Sequence, residues 1–72
     1  MRTDARSLFA RKLRSVRLNR GISQEKLAEL AHCSRNYVSI VENAHKAASL
    51  DAIVRFARAL KVKPAELLEG IP

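Results

Sequence analysis

Ser34-Arg35-Asn36-Tyr37-Val38-Ser39-Ile40-Val41-Glu42-Asn43 is the stretch on which the fold turns. Ser34 is placed to cap a helix over 35–43, its hydroxyl accepting from a free amide of the first turn. Val38 and Val41, three apart, form the buried stripe of that helix, which turns Arg35, Asn36, Ser39, Ile40 and Asn43 outward. Arg and Asn carry the paired donors and acceptors that match guanine and adenine edges in the major groove of DNA. A short helix with an apolar back and such an outer face has the chemistry of a base-reading surface.

Immediately upstream, Ser23 is the expected cap of a second helix over 24–31. Gln24 and Glu25 fall in its first turn, where a carboxylate suits the helix dipole. Leu27, Ala28 and Ala31 make its apolar stripe, and the small side chain of Ala28 admits close approach of another helix. His32 and Cys33 connect it to Ser34. A helix of about eight residues, a turn of three or four and a second capped helix is the helix-turn-helix plan.

The flanks read as three further helices. Thr3 is the expected cap of a first helix over 4–19, with Phe9, Leu13 and Val16 inward and Arg6, Arg11, Lys12, Arg14 and Arg20 on or beside the outer face. Gly21 follows, where a helix end wants a residue at ease with positive φ. Ser49 caps a fourth helix over 50–61, with Asp51 in its first turn and Leu50, Ile53, Phe56, Ala57 and Leu60 as its apolar face. Lys63-Pro64 opens a fifth over 64–69, since Pro suits the first helical position. No segment alternates with period two over strand length. The expectation is one all-α domain of five helices over residues 1–72.

At 72 residues, the core of such a domain is thin. Cys33 is the only cysteine, which excludes a disulfide framework and fits a reducing compartment. No apolar run approaches the ~20 residues of a membrane span, and the first residues lack the apolar core of a secretory signal. These features point to the cytoplasm and away from membranes. Formal net charge is +7, placed unevenly: residues 1 to 20 hold seven Arg or Lys against one Asp. That distribution fits forked contact with phosphate oxygens; it fits a solvated helix face equally well. His32 and His45 lack the Cys or carboxylate support of a metal site. No nucleophile–base pair or paired carboxylates can be assembled, so no catalytic residue and no cofactor are expected. Three aromatics make no stacking platform for RNA.

The chain resembles the Xre/Cro/CI-type helix-turn-helix DNA-binding domains of phage repressors and their bacterial relatives, the lambda-repressor-like fold. The resemblance is carried by Leu13-Arg14-Ser15-Val16-Arg17, Gly21-Ile22-Ser23-Gln24-Glu25-Lys26-Leu27-Ala28, Cys33-Ser34-Arg35, Val38-Ser39, Val41-Glu42-Asn43 and Ser49-Leu50. Ala59-Leu60-Lys61-Val62 and Pro64-Ala65-Glu66-Leu67-Leu68 extend it, so it covers about residues 8 to 68. Ser34-Arg35-Asn36-Tyr37-Val38-Ser39 is similar to the recognition helices of controller proteins of restriction-modification systems. The resemblance implies a short, stand-alone, sequence-specific regulator of transcription on double-stranded DNA. This chain departs from the family at His32 and Ala44, where glycine is usual, and at Ala48, where proline is common.

Residue roles follow. Arg35, Asn36, Ser39 and Ile40 are the candidates for base contact, Ile40 through a thymine methyl. Ser23, Gln24, Ser34, Tyr37, Asn43, His45 and Lys46 are the candidates for the sugar–phosphate backbone. Tyr37 has two openings: a ring packed on the second helix, or a hydroxyl on a phosphate. Glu42 sits one residue past Val41 and four past Val38, so it points partly inward; a buried carboxylate requires a cation. Arg17 is the natural partner, and the resemblance implies the same pairing. Val62, Leu67, Leu68 and Ile71 exceed what so small a core can hide and suggest a two-fold homodimer. Two recognition helices about one DNA turn apart, roughly 34 Å, would then meet a palindromic operator. An activator would also need a surface for RNA polymerase, for which Glu66 and Glu69 are candidates. The alternative is a protein-interaction module, such as the antitoxin of a toxin–antitoxin pair.

Overall fold

The computed structural model describes residues 4–72. Five helices follow in order: α1 (Ala5–Asn19), α2 (Gln24–Leu30), α3 (Arg35–Glu42), α4 (Leu50–Leu60) and α5 (Pro64–Leu67). No strand occurs among the described residues. Thr3, the expected cap of the first helix, lies outside them; Asp4 performs that task, its carboxylate accepting from the Ser7 amide at 2.8 Å. Ser23, Ser34 and Ser49 cap α2, α3 and α4, each hydroxyl accepting from the amide three residues on. Each such cap contributes on the order of 1 kcal/mol.

The core runs through the centre of the five helices. Phe56 of α4 is fully buried, surrounded by Leu13 of α1, Leu27 of α2, Val38 and Val41 of α3, and Leu67 of α5. Truncating such a ring to Ala typically costs about 3–5 kcal/mol, so Phe56, with Ala52, Ala57 and Leu60 buried beside it, anchors α4. Two expectations about this core are corrected. Leu50, placed on the apolar face of the fourth helix, is 76% exposed: it is the first residue after the Ser49 cap, and the helix entry turns it to solvent. Leu67, placed at a dimer face, is 0% exposed and belongs to the interior.

Four helix ends close alike. The residue after the last helical turn takes a left-handed backbone, and the next amide reaches back five residues to a carbonyl, the Schellman arrangement. Gly21 does this for α1, with Ile22 N–H on Arg17 O at 3.4 Å. His32 does it for α2, Ala44 for α3 and Lys61 for α4, at φ 57°, 60° and 58°. The returning amides are Cys33 on Ala28 O at 3.0 Å, His45 on Ile40 O at 3.0 Å and Val62 on Ala57 O at 2.9 Å. These closures stop α2, α3 and α4 at Leu30, Glu42 and Leu60, each one residue short of the expected 31, 43 and 61. Likewise α5 ends at Leu67 rather than at 69, as Leu68–Gly70 turn.

A Cβ in the left-handed region meets the following carbonyl oxygen, at a cost of about 1–2 kcal/mol, and His tolerates that region better than Ala. Ala44→Gly is therefore expected to raise stability by about 1 kcal/mol. That corresponds to a rise in Tm of roughly 4–8 °C. His32→Gly should gain less. Thermal melts followed by circular dichroism check both, and an Ala44→Gly protein melting at or below the parent would contradict the account.

Candidate nucleic-acid interface

α3 is held from behind. Val38 and Val41 are 0% and 1% exposed, and α3 packs on both α1 and α2. Glu42 is buried beside them and accepts two parallel hydrogen bonds from Arg17: Nε to Oε2 at 2.7 Å and Nη2 to Oε1 at 3.0 Å. The third nitrogen, Nη1, donates to the Ile22 carbonyl at 2.9 Å. Gln24 Nε2 adds a further bond to Glu42 Oε1 at 3.0 Å. One guanidinium thus joins the last turn of α1, the α1–α2 turn and the end of α3, while Gln24 ties in the start of α2. No side-chain polar atom among the described residues is buried without a partner.

The front of α3 is open. Arg35 and Asn36 are exposed in its first turn, and neither makes a side-chain hydrogen bond among the described residues. Ser39 and Ile40 follow, half-buried. Ser39 Oγ accepts from Asn43 Nδ2 at 3.3 Å, and the same nitrogen donates to the Ser39 carbonyl at 2.9 Å. Asn43 therefore has both amide hydrogens engaged within the helix end, whereas the Ser39 hydroxyl keeps its own proton to donate. Ser23 and Ser34 hold their amides as caps and stand exposed at the starts of α2 and α3. Gln24 has one N–H on Glu42 and one left over. Glu42 accepts only, so the amide nitrogen must face it and the Gln24 carbonyl oxygen must point away. His45 and Lys46 project from the α3–α4 loop, both exposed.

Tyr37 finds its aromatic partner on α4. Its ring stacks on Phe56 of α4, centroids 6.2 Å apart and planes 23° apart. Its hydroxyl accepts from the Ser49 amide at 3.2 Å, which ties α3 to the start of α4. The phenolic proton remains available as a donor. Cys33 packs half-buried against the core; burial pushes its thiol pKa up, against a lowering by the nearby Arg55. That direction disfavours the thiolate, the reactive form of a cysteine.

Elsewhere, Leu68 is 41% exposed, and Val62 and Ile71 are half-buried against the core. Phe9, Ile53, Leu68 and Ile71 line an apolar depression of about 180 Å³. Glu69 is engaged by Lys12 Nζ at 3.3 Å, which leaves Glu66 as the only unpaired carboxylate of the acidic end among the described residues. No group of three His, Cys, Asp or Glu there is arranged to hold a metal, and no helix is long and apolar enough to cross a membrane.

Two capped helices joined by a left-handed turn, the second pinned by a buried ion pair and open in front, are matched by known proteins. The helix-turn-helix domain family matches residues 8–69. The chain belongs to that family. Control protein C.BamHI of Bacillus amyloliquefaciens is 40% identical over 70 residues, 96% of this chain and 86% of the relative. The crystal structure of restriction-modification controller protein C.AhdI from Aeromonas hydrophila is 41% identical with a TM-score of 0.83, covering 85% of this chain and 92% of that one. A hypothetical transcription factor from Neisseria is 40% identical with a TM-score of 0.86, covering 90% of this chain and 75% of that one. This helix-turn-helix protein is a DNA-binding regulator of transcription and not an enzyme.

The buried pair gives a direct test. Arg17→Ala leaves Glu42 buried with one weak donor, an expected loss of about 3–5 kcal/mol. A chain of this size holds on the order of 5 kcal/mol in all, so the variant should be largely unfolded at 37 °C. Replacing both partners, Arg17→Met with Glu42→Leu, should recover most of the loss. Urea titrations measure both; an Arg17→Ala protein as stable as the parent would reduce the pair to a surface contact.

Proposed function

We propose that this chain, working as a single domain over residues 1–72, binds a palindromic operator in double-stranded DNA as a homodimer, with α3 in the major groove. In this reading Arg35 and Asn36 form forked hydrogen bonds to base edges, Ser39 donates to a base acceptor, and Ile40 touches a thymine methyl. Ser23, Gln24, Ser34, Tyr37, His45 and Lys46 meet the flanking sugar–phosphate strands. Asn43, with both N–H groups committed to Ser39, serves the backbone only through the loop it shapes. The observation that carries the reading is the asymmetry of α3: three buried anchors behind, and unpartnered Arg35 and Asn36 side by side in front.

The homodimer is supported by the apolar depression at Phe9, Ile53, Leu68 and Ile71. Leu50, exposed on the first turn of α4, adds apolar surface that sequence reasoning assigned to the core. Leu67 plays no direct part, being sealed inside each subunit. The likeness to C.AhdI and C.BamHI supports a controller-type regulator acting at a restriction-modification locus. The depression is small and the exposed leucines are separate, so the dimer is expected to be strengthened by DNA, which brings two copies to one site.

Selection from a randomised duplex pool at stated salt, with sequencing of the bound fraction, should recover a two-fold symmetric site. A pool that stays random would defeat the reading. On the selected duplex, Arg35→Ala should cost about 1–3 kcal/mol and relax preference at one position per half-site. Lys46→Ala should weaken all sequences alike and lower the salt slope by about one. If both variants lose affinity uniformly, Arg35 is a phosphate contact and not a base reader.

A further inference from the structure

Arg55, on the exposed side of α4, joins two concavities. The first, about 410 Å³, lies between the α2–α3 turn and α4, and Tyr37, Lys46, Ser49 and Arg55 are on its walls. The second, about 440 Å³, continues along α4 and is lined by Leu30, His32, Arg55, Arg58, Ala59 and Lys61. No Asp or Glu lines either one. Lys46, Arg55, Arg58 and Lys61 are all exposed, and none has a carboxylate partner among the described residues. Arg20 adds a further cation at the far end, its Nη2 donating to the Lys61 carbonyl at 3.4 Å.

Such a row of like charges repels itself, and no ion pair within the described residues offsets that repulsion. Arg58, in the last turn of α4, offsets the helix dipole; Arg55, in mid-helix, has no such task. From Arg55 to Lys61 the helix rises about 9 Å, a length that one DNA strand fills with about three phosphates along its axis. The row is also continuous, through Arg55, with Tyr37 and Lys46, which meet the DNA backbone in the reading above. That continuity singles out duplex DNA over an acidic protein segment as the occupant.

We propose that the Arg55–Arg58–Lys61 edge of α4 is a track for DNA flanking the half-site, engaged when the duplex bends toward α4. The proposal rests on the DNA-binding reading and extends its footprint beyond the bases that α3 touches. It requires no further sequence recognition, because the contacts are to phosphate alone.

The test compares two duplexes carrying the site recovered from the pool: the minimal site, and the same site extended by roughly one helical turn, ~10 bp, at each end. Flanks should raise the affinity of the parent protein tenfold or more and steepen its salt dependence by about two to three per subunit. A triple variant, Arg55→Gln, Arg58→Gln and Lys61→Asn, should bind the minimal site as the parent does and gain almost nothing from the flanks. Arg55→Lys with Arg58→Lys should keep the gain. Circular dichroism and melting of each variant establish that it is folded, which these exposed positions permit. A triple variant with the parent's full flank gain overturns the track and leaves the edge to an acidic partner or to solvent. Equal losses on both duplexes also overturn it, because the charges would then act as a general field. Failure of the parent to bind the minimal site would bring down the DNA reading itself.

Discussion

The fork between Arg17 and Glu42 is the constraint on which the other features depend. Burying two opposite charges is not in itself a source of stability, since the loss of water offsets most of the attraction. What the pair supplies is position. Arg17 has its three nitrogens on Glu42 and on the Ile22 carbonyl, and Glu42 takes a further bond from Gln24. Those bonds have narrow geometric limits, so α3 cannot slide or rotate against α1 and α2 without breaking several at once. An apolar contact of the same size would tolerate a shifted register. A helix whose front must present Arg35 and Asn36 at fixed spacing gains more from restriction than from extra stability.

The turns work to the same end by a different route. Each helix from α1 to α4 is stopped abruptly by one left-handed residue, and only Gly21 adopts that conformation without strain. His32, Ala44 and Lys61 accept it because the amide behind each is satisfied by a carbonyl five residues earlier. His32 lies two residues before Ser34, the cap of α3, and Ala44 two residues after Glu42, its last helical residue. The reading helix is therefore bounded at both ends by strained residues, and its length is set by those closures rather than by its own helix propensity. Lys46 emerges from the second closure. Its direction relative to α3 follows from the backbone path at Ala44.

Much of this was legible in the residues because the signals are local. Ser23, Ser34 and Ser49 announce helix starts through a bond to an amide three residues away, which needs no tertiary context. The Glu42–Arg17 partnership was legible for a different reason: a carboxylate set on an apolar stripe demands a cation, and few lie within reach. The Ile22 and Gln24 bonds that complete it were not, since Gln24 reads as an ordinary exposed first-turn residue until the end of α3 is placed beside it. Tyr37 illustrates the same limit. Its partners, Phe56 and the Ser49 amide, lie on the next helix and at its cap, and only the packed fold brings them together. Leu50 and Leu67 were exchanged between surface and core because periodicity reports which residues are apolar, not which apolar residue the helix entry turns outward. The left-handed closures at His32 and Ala44 could be anticipated only against a family habit of glycine. Lys61 gave no signal at all.

Hydrogen-bond valence on α3 separates what the helix keeps for itself from what it can offer. Ser34 Oγ accepts from the Tyr37 amide and keeps only its proton to offer, and Asn43 has both N–H groups on Ser39. Arg35 keeps its five donors, Asn36 its full amide, and Ser39 and Tyr37 one proton each. The unengaged groups are concentrated toward the N-terminal turns, while the C-terminal turn is tied up internally. If α3 lies in the groove, its first turns must carry most of the base discrimination. Asn43 and the loop beyond then fix how deep the helix sits. The unpaired cations of α4 lie outside both groups, at the same end of the helix as Arg35, and can add affinity without altering which bases are chosen.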